Sequence, residues 1–189
     1  METSAVLDLF RAEGALHEGH FRLSSGLHSG GYLQSALVLQ HPARAEQLGR
    51  ALAGQLRDVR PTVVLSPALG GLIIGHEVAR ALGVRAIFAE RQEGTLTLRR
   101  GFSLAADDRV VVIEDVVTTG LSTRETMAVA EAAGASVVGA GTIIDRSGGT
   151  ANLPVALRCL APYVVATYEP TACPMCTKGL PVTKPGSRG

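Results

Sequence analysis

The hydrophobic positions of this chain follow two alternating patterns between residues 62 and 145. Short, unbroken apolar runs are typical of strands buried on both faces, and they occur at residues 62–66, 85–89, 109–114 and 136–145. Between these runs, apolar residues recur at helical spacing. One such segment ends at residue 82, and another covers residues 123–133, where Ser122 can cap the helix. This alternation predicts an α/β fold with a mainly parallel, twisted sheet flanked by helices.

The segments on either side of this region have less regular patterns. Thr3 or Ser4 can cap a first helix, and Pro42 can begin another whose apolar residues recur at helical spacing. Between these helices, the glycine-rich stretch GHFRLSSGLHSGGYLQ predicts irregular strand and turn, and VALRCLA and YVVATY predict two final strands. We expect one main domain over residues 1–168 and a tail, rich in Pro, Gly and Lys, over residues 169–189.

One connection between predicted strands is long and polar. Residues 90–108 contain Arg91, Arg99 and Arg100 and two glycines, and they separate two strands that belong in the same core. A long connection of this kind is more often a mobile functional lid than a passive loop. The alternative is a plain β-hairpin, because TLTL within it alternates apolar and polar residues.

The stretch VVVIEDVVTTGLST (Val110–Thr123) carries the most specific chemistry. Two carboxylates, Glu114 and Asp115, follow the buried apolar run, and a loop of small, hydroxyl-bearing residues precedes the next helix. Amides at such a loop, together with the helix dipole, bind anions, and Gly120 permits a tight turn. Because the acids would repel a phosphate directly beside them, we expect a sugar between the two, as in a ribose 5-phosphate. The alternative is a capped strand followed by an ordinary turn.

Two nucleotide-binding motifs are missing from this stretch, and the composition of the chain argues against two classes of partner, nucleic acids and membranes. No Gly-Lys-Ser/Thr follows, as a Walker loop requires, and Gly-x-Gly-x-x-Gly is absent. The net charge is +1, aromatic residues make up 4% and there is no Trp, so we expect no nucleic-acid partner. No apolar run reaches the roughly 20 residues of a membrane helix, so we expect a cytoplasmic protein without a membrane partner.

The same stretch resembles the phosphoribosyl-diphosphate (PRPP) motif of type I phosphoribosyltransferases: an apolar strand, two acids, two apolar residues and Thr-Thr-Gly. Over about residues 10–150, the chain most resembles the orotate-specific members, through FRLSSGLHSGGYLQ, SPALGG, FAERQEG and DRSGG. The resemblance implies the fold of that family, with residues 1–40 contributing a hood over the substrate. It also implies a Mg²⁺-dependent pentosyltransferase that converts orotate and PRPP to orotidine 5′-monophosphate and diphosphate in de novo pyrimidine (UMP) biosynthesis. The expected assembly is a homodimer with shared active sites.

Roles toward PRPP follow from the resemblance position by position. Glu114 and Asp115 would bind the ribose hydroxyls, and Asp115 is also a candidate ligand of Mg²⁺, which would be held mainly by PRPP. Residues 118–122 would surround the 5-phosphate, and residues 68–70 would present backbone N–H groups to the diphosphate. The complete set of PRPP-binding positions, besides the two acids, is Ala68, Leu69, Gly70, Arg91, Val116, Val117, Thr118, Thr119, Gly120, Leu121 and Ser122.

The resemblance also implies an orotate site and a catalytic role for the lid. Arg146 would pair with the orotate carboxylate, and the other orotate-binding positions are Thr118, Tyr32 and Leu33. Besides the two acids, the catalytic positions would be Arg91, Arg99 and Arg100, which would reach the diphosphate of a neighbouring subunit.

Three departures from the family pattern bear on this interpretation. Ser24 and Gly70 stand where better-known members carry Lys, and residues 90–108 contain no Lys or His. Since Arg does not donate a proton at neutral pH, the lid would act by charge alone. Two other functions stay open: a purine-base phosphoribosyltransferase, and a PRPP-sensing regulatory protein with the same fold.

The C-terminal tail contains Cys173-Pro-Met-Cys176. This CxxC spacing could be half of a zinc site whose other ligands come from a partner subunit, because four ligands are needed. It could also be a redox pair, or an inert structural feature. Among the histidines, His28 could contact a ligand, whereas the spacing of His20 does not suggest a metal.

Overall fold

A six-stranded sheet lies at the centre of the structure, a computed structural model that describes residues 1–23 and 25–185. Ser24 and residues 186–189 of the tail lie outside this range. The strand order is β5-β4-β3-β6-β7-β8, and only β4 and β5 pair antiparallel. The strands are β3 (Val63–Pro67), β4 (Arg85–Gln92), β5 (Thr95–Leu98), β6 (Arg109–Val117), β7 (Ser136–Asp145) and β8 (Leu157–Pro162). The predicted, mainly parallel sheet is therefore confirmed.

Helices cover both faces of this sheet because its central strands are apolar on both sides. On one face, Val64 and Val111 pack against α1 (Thr3–Ala12), α3 (Pro42–Leu56) and α4 (Gly71–Leu82). On the other face, the alternate residues of the same strands pack against α5 (Leu121–Ala132). Residues of β3 and β6 on both faces are fully buried, which explains their unbroken apolar runs.

The chain reverses direction across the sheet between β3 and β6. From β3 it proceeds to β4 on one side, and it then returns to place β6 on the other side, followed by β7 and β8. Ligands of open α/β sheets bind at such switch points, beyond the carboxyl ends of the strands. The loops after β3, β6 and β7 all leave this edge, so the topology locates the candidate site.

A smaller sheet, which we call the hood, lies beyond the main one. It consists of β1 (Leu16–Arg22), β2 (His28–Leu33) and β9 (Thr167–Tyr168), in the order β1-β2-β9. The chain end follows β1: the Arg22 amide donates to the Thr183 carbonyl at 2.9 Å, and the Thr183 amide donates to the His20 carbonyl at 2.8 Å. The remaining short helices are α2 (Ala36–Leu39) and α6 (Pro174–Thr177).

Several sequence predictions need correction. Helix α5 begins at Leu121, with Gly120 in the N-cap position, and Ser122 lies within its first turn. Residues 90–98 belong to an antiparallel hairpin that extends the main sheet at its edge, which is the alternative given above for this connection. The stretch YVVATY forms a strand only at its last two residues, and these join the hood. Helix α2 was not predicted from the sequence, because four residues are too few to show a helical period.

None of the helices in residues 1–23 and 25–185 has the length and hydrophobicity that crossing a membrane requires.

Candidate active site

The loop after β3 and the start of α4 lie against the carboxyl-terminal part of β6 at the switch point. A Cβ atom on Gly70 would lie 2.6 Å from Asp115 Oδ1, and a Cβ on Gly71 would lie 2.7 Å from the Ile113 carbonyl oxygen. Neither position can carry a side chain without moving its neighbour. This contact explains why a Lys is not accommodated at Gly70 in the present geometry, and it holds the predicted diphosphate loop against the predicted ribose-binding acids.

Backbone hydrogen bonding corrects one prediction in the loop after β3. The Ala68 amide donates to the Ala89 carbonyl at 2.8 Å, so the ladder between β3 and β4 occupies it. The Ala68–Leu69 peptide bond is cis, and the Leu69 side chain is 82% exposed. The amides that remain for an incoming anion in this loop are therefore those of Leu69 and Gly70.

The loop between β6 and α5 is a tight turn built around Gly120. This residue has φ +73°, and a Cβ on it would lie 2.8 Å from the Ala151 carbonyl oxygen. The Arg124 guanidinium donates to the Thr119 carbonyl at 3.0 Å and also to the Ala151 carbonyl, which ties the turn to the loop beyond β7. Gly120, in the N-cap position, has no side chain to cap α5, and the Leu121 amide donates to Thr119 Oγ1 at 3.3 Å. Within the described chain, the Ser122 and Thr123 amides of the first turn have no side-chain cap, as is usual at a helix N-terminus.

Glu114 and Asp115 differ in their surroundings. Glu114 is 8% exposed, and burial together with the neighbouring Asp115 carboxylate raises its pKa to about 9. Glu114 is therefore protonated at neutral pH in the unliganded chain. Asp115 is half-buried, and its backbone carbonyl accepts a hydrogen bond from the Thr142 hydroxyl at 3.0 Å. A protonated Glu114 can donate a hydrogen bond to a sugar hydroxyl, and the side-chain oxygens of both acids can accept hydrogen bonds from such hydroxyls.

Arg146 follows β7, and its position is set by the sheet edge. Its amide donates to the Val117 carbonyl at 2.8 Å, which places Arg146 beside the end of β6. Burial lowers the pKa of its guanidinium, although the group stays charged at neutral pH. Within residues 1–23 and 25–185, the buried Nε atom has no hydrogen-bond partner. An unpaired, desolvated guanidinium strongly favours binding of an anion.

A cavity of about 1040 Å³ lies between the phosphate loop, the end of β7 and the hood, whereas Glu114, Asp115 and the loop after β3 are not among the residues that line it. Thr118 and Thr119 line it from the phosphate loop, Arg146 from the end of β7, and Tyr32 and Leu33 from the hood. The structure thus brings together all four residues that were predicted to bind orotate. Sequence reasoning missed two further cations of the lining, Arg22 and Lys184, because their positions in the sequence give no sign that the hood and the tail meet the phosphate loop.

The three arginines of residues 90–108 do not line this cavity. Arg91 pairs with Glu125 of α5 at 2.5 Å, and Arg100 makes two contacts with Glu90, at 2.7 and 2.8 Å. Arg99 is exposed. All three lie on or beside the edge hairpin. Their predicted action at a neighbouring subunit stays a prediction.

Comparisons with known proteins agree with this geometry. A family model for the phosphoribosyl transferase domain matches residues 35–160, more than half of the chain. An orotate phosphoribosyltransferase of Pelotomaculum thermopropionicum is 50% identical over 188 residues, which cover 100% of this chain and 99% of that protein. One from Heliobacterium modesticaldum is 50% identical over 190 residues, with full coverage of both chains. The chain belongs to the orotate phosphoribosyltransferase family.

A solved structure of this family supports the fold. The orotate phosphoribosyltransferase of Aeropyrum pernix has a TM-score of 0.67 and 27% identity, and the match covers 83% of this chain and 93% of that one. The family resemblance inferred from the PRPP motif is thereby confirmed. The family model ends at residue 160, so it does not include the tail with Cys173 and Cys176, which lie beside His20 and His28 outside the cavity lining.

Proposed function

We propose that this phosphoribosyltransferase transfers the 5-phosphoribosyl group of PRPP to orotate, giving orotidine 5′-monophosphate and diphosphate in UMP synthesis. The observation that carries the proposal is that one cavity is lined both by Thr118 and Thr119 of the phosphate loop and by Arg146, whose buried Nε has no hydrogen-bond partner within the described residues. The end of the cavity at the phosphate loop suits a sugar phosphate, and the end at Arg146 suits a planar acid. Full-length relatives named orotate phosphoribosyltransferase support the same substrate pair.

The phosphate loop would hold PRPP by its 5-phosphate. The amides at the start of α5 and the hydroxyls of Thr118, Thr119 and Ser122 would bind the phosphate oxygens, with the helix dipole behind them. Glu114 and Asp115 would bind the two ribose hydroxyls. The amides of Leu69 and Gly70 would then face the diphosphate, since Gly70 contacts Asp115 directly.

Orotate would lie between Arg146 and the hood. The guanidinium can form two parallel hydrogen bonds with a carboxylate, and burial makes such a pair stronger than it is in water. Tyr32 and Leu33 supply the nonpolar wall on the hood side of the cavity. This arrangement selects a planar base that carries an acid group, and it gives uracil or a purine no partner for Arg146.

The residues present fit a Mg²⁺ ion, which we propose as the cofactor. Asp115 offers a half-buried carboxylate at the point where the ribose and diphosphate loops meet, and oxygen is the ligand that Mg²⁺ prefers. Asp115 would hold the ion together with PRPP oxygens. When bound, Mg²⁺ would neutralise charge on the diphosphate.

The chain's own groups would promote the reaction through position and charge. As the bond between C1 and the diphosphate oxygen breaks, its electron pair leaves with the diphosphate and the ribose gains positive charge. The Asp115 carboxylate stabilises that charge, and orotate N1, already deprotonated, donates its electron pair to C1. Arg91, Arg99 and Arg100 of a neighbouring subunit would stabilise the diphosphate by charge. Closure of the hood and hairpin would exclude water from C1.

This mechanism implies a homodimer, because the lid arginines lie away from the cavity of their own chain. We propose that each edge hairpin serves the site of the other subunit. We also propose a cytoplasmic location, in keeping with a soluble metabolic enzyme.

A base panel tests the proposed function. Diphosphate release from PRPP would be measured with orotate, uracil, adenine, guanine and xanthine, each with Mg²⁺. We expect release with orotate at a kcat/KM at least 100-fold above that with any other base, because only orotate carries the carboxylate. Equal or greater release with a purine would favour a purine-base enzyme. Binding of PRPP without release, together with salt-dependent binding of RNA or DNA, would favour a regulatory protein.

A further inference from the structure

Four metal-binding side chains come together at the outer side of the hood. His20 belongs to β1, His28 belongs to β2, and Cys173 and Cys176 flank the start of α6. One ligand atom from each of the four lies within 4.8 Å of all the others. The two histidines and the two cysteines are separated by about 145 residues of sequence, so only the tertiary fold joins them.

The distances between the ligand atoms agree with tetrahedral coordination of zinc. His20 Nε2 lies 3.6 Å from Cys173 Sγ and 3.7 Å from Cys176 Sγ, and His28 Nδ1 lies 3.3 Å from Cys176 Sγ. Usual Zn–N and Zn–S bond lengths at tetrahedral angles separate nitrogen from sulfur by about 3.6 Å. The two nitrogens are 2.8 Å apart, so metal binding would move the rings apart by about 0.5 Å.

A hydrogen bond determines which ring nitrogen of His20 carries a proton. His20 Nδ1 lies 2.8 Å from the Leu180 carbonyl oxygen, which can only accept, so Nδ1 carries the proton. In the neutral ring the other nitrogen, Nε2, carries a lone pair that points into the cluster, where it lies 2.8 Å from His28 Nδ1. Metal-binding histidines usually donate their second N–H to a carbonyl or carboxylate in this way, which sets the ring orientation.

Burial and charge also suit a closed structural site. His20, His28 and Cys173 are 5%, 6% and 1% exposed, while Cys176 is exposed and leaves a path for an ion to enter. Two thiolates and two neutral imidazoles carry a charge of −2, which a divalent ion cancels. Within residues 1–23 and 25–185, this is the group of metal-binding side chains that the fold assembles.

We propose that His20, His28, Cys173 and Cys176 bind one zinc ion within a single chain. With four protein ligands the site has no open position, as expected of a structural zinc rather than a catalytic one. The proposal replaces the sequence-based alternative in which a partner subunit completes the site. Zinc binding itself does not depend on the proposed function, because the four residues lie outside the cavity lining. The effect of zinc on orotate binding, described next, rests on the proposed function.

The ion would hold the C-terminal segment against the hood. Thr183, seven residues beyond Cys176, is hydrogen-bonded to β1, and the next residue, Lys184, lines the cavity. Zinc would therefore fix one wall of the orotate site from outside it. Loss of the ion should raise the KM for orotate and lower the melting temperature, while the phosphate loop keeps its affinity for PRPP.

Metal content of the full-length chain tests the proposal. Protein produced in zinc-supplemented medium and purified under reducing conditions would be examined by elemental mass spectrometry. We expect about one zinc per chain, at most a tenth of that in Cys176→Ser, and an unchanged amount in Cys159→Ser. Cys159 is the third cysteine of the chain and lies on β8, outside the cluster, so it serves as the matched control.

Cobalt provides a second measurement that does not depend on any variant folding. The parent protein would be stripped with a chelator and titrated with Co²⁺ alone. We expect the intense visible bands of tetrahedral cobalt with thiolate ligands, saturating at one equivalent and reversed by Zn²⁺. A folded parent chain that contains no zinc and shows no such bands would overturn the proposal. So would intact mass showing a Cys173–Cys176 disulfide in protein purified without reductant.

Discussion

Among single residues, Arg146 is the one that we expect to determine specificity for orotate. Arg146→Ala should raise the KM for orotate by roughly 100-fold or more, because a buried, charge-assisted pair contributes about 3 kcal/mol. The dissociation constant for PRPP should change less than about threefold, since the phosphate loop is untouched. Steady-state kinetics and titration calorimetry measure the two quantities.

Arg158 provides the matched control for this substitution. It lies on the neighbouring strand β8 and pairs with Asp58 at the surface, so Arg158→Ala should leave both constants unchanged. An unaltered orotate KM in Arg146→Ala would show that the carboxylate is bound elsewhere.

Glu114 should make the stability of the chain depend on pH. Its pKa is about 9 in the folded chain and 4.5 ordinarily, so between these values the folded state holds a proton that the unfolded state has lost. The free energy of unfolding should therefore fall with rising pH in this window, by up to about 1.4 kcal/mol per pH unit from this group. Glu114→Gln should remove that component, and denaturant unfolding from pH 5.5 to 9 measures it.

The exposed Glu131 of α5 is the control for this experiment. Glu131→Gln should retain the slope of the parent chain. Identical slopes in Glu114→Gln and the parent would mean that Glu114 is ionised in the folded chain.

Single residues show how far the sequence alone could identify the site. The apolar runs of β6 and β7 allowed Glu114, Asp115, Thr118 and Arg146 to be placed near the carboxyl ends of these strands, where the structure has them. The roles of these four residues, which the family resemblance implied, stay predictions. The hydrogen bond from the Ala68 amide to the Ala89 carbonyl could not be predicted, since it depends on how far the β3–β4 ladder continues.

At the scale of elements, α5 offers a test of the phosphate loop because a glycine with positive φ lies near each end. Ala at Gly120 or Gly134 would cost about 1 kcal/mol of backbone strain. Only at Gly120 would the new Cβ also press against a carbonyl oxygen, that of Ala151, at 2.8 Å. We expect Gly120→Ala to weaken PRPP binding at least tenfold, as measured by calorimetry.

Gly134→Ala is the internal comparison, because no atom lies within 4 Å of the Cβ it would add. It should lower the melting temperature without changing PRPP affinity. Equal PRPP affinity in both variants would argue against phosphate binding at the start of α5.

Elements with strong periodicity were predictable, and those decided by tertiary contacts were not. The buried strands β3, β6 and β7 were recognised because both of their faces are apolar. The start of α5 was placed too late, since a Ser suggested a cap where Gly120 provides the turn. Within residues 90–98, the hairpin forms because β5 pairs with β4. The alternating TLTL pattern was the only local sign of this strand.

At the scale of the whole molecule, shared active sites can be tested by subunit mixing. Arg91→Ala and Asp115→Asn should each be nearly inactive alone. If Arg91 serves the partner's site, hybrid dimers contain one intact site, and an equimolar mixture should recover about a quarter of the parental activity. Diphosphate release after unfolding and refolding the two variants together measures this recovery.

No recovery in the mixture, with hybrid dimers verified by native mass spectrometry, would place Arg91 at the site of its own chain. Refolded parent protein, treated in the same way, sets the full activity for the comparison.

Long-range assembly is the part of this molecule that local patterns could not reveal. The sequence predicted a tail over residues 169–189 and gave no sign that Thr183 pairs with β1 or that Lys184 lines the cavity. His20 showed no metal spacing in the sequence, because its neighbours in space are His28 across a hairpin and two cysteines near the chain end. Such contacts depend on the completed fold and leave no periodic signal.

A crystal structure of the chain with PRPP and Mg²⁺ would test the central claim most directly. We expect the 5-phosphate to lie within hydrogen-bonding distance of the amides of residues 119–122, and the ribose hydroxyls to lie beside Glu114 and Asp115. PRPP bound elsewhere, with this turn empty, would contradict it.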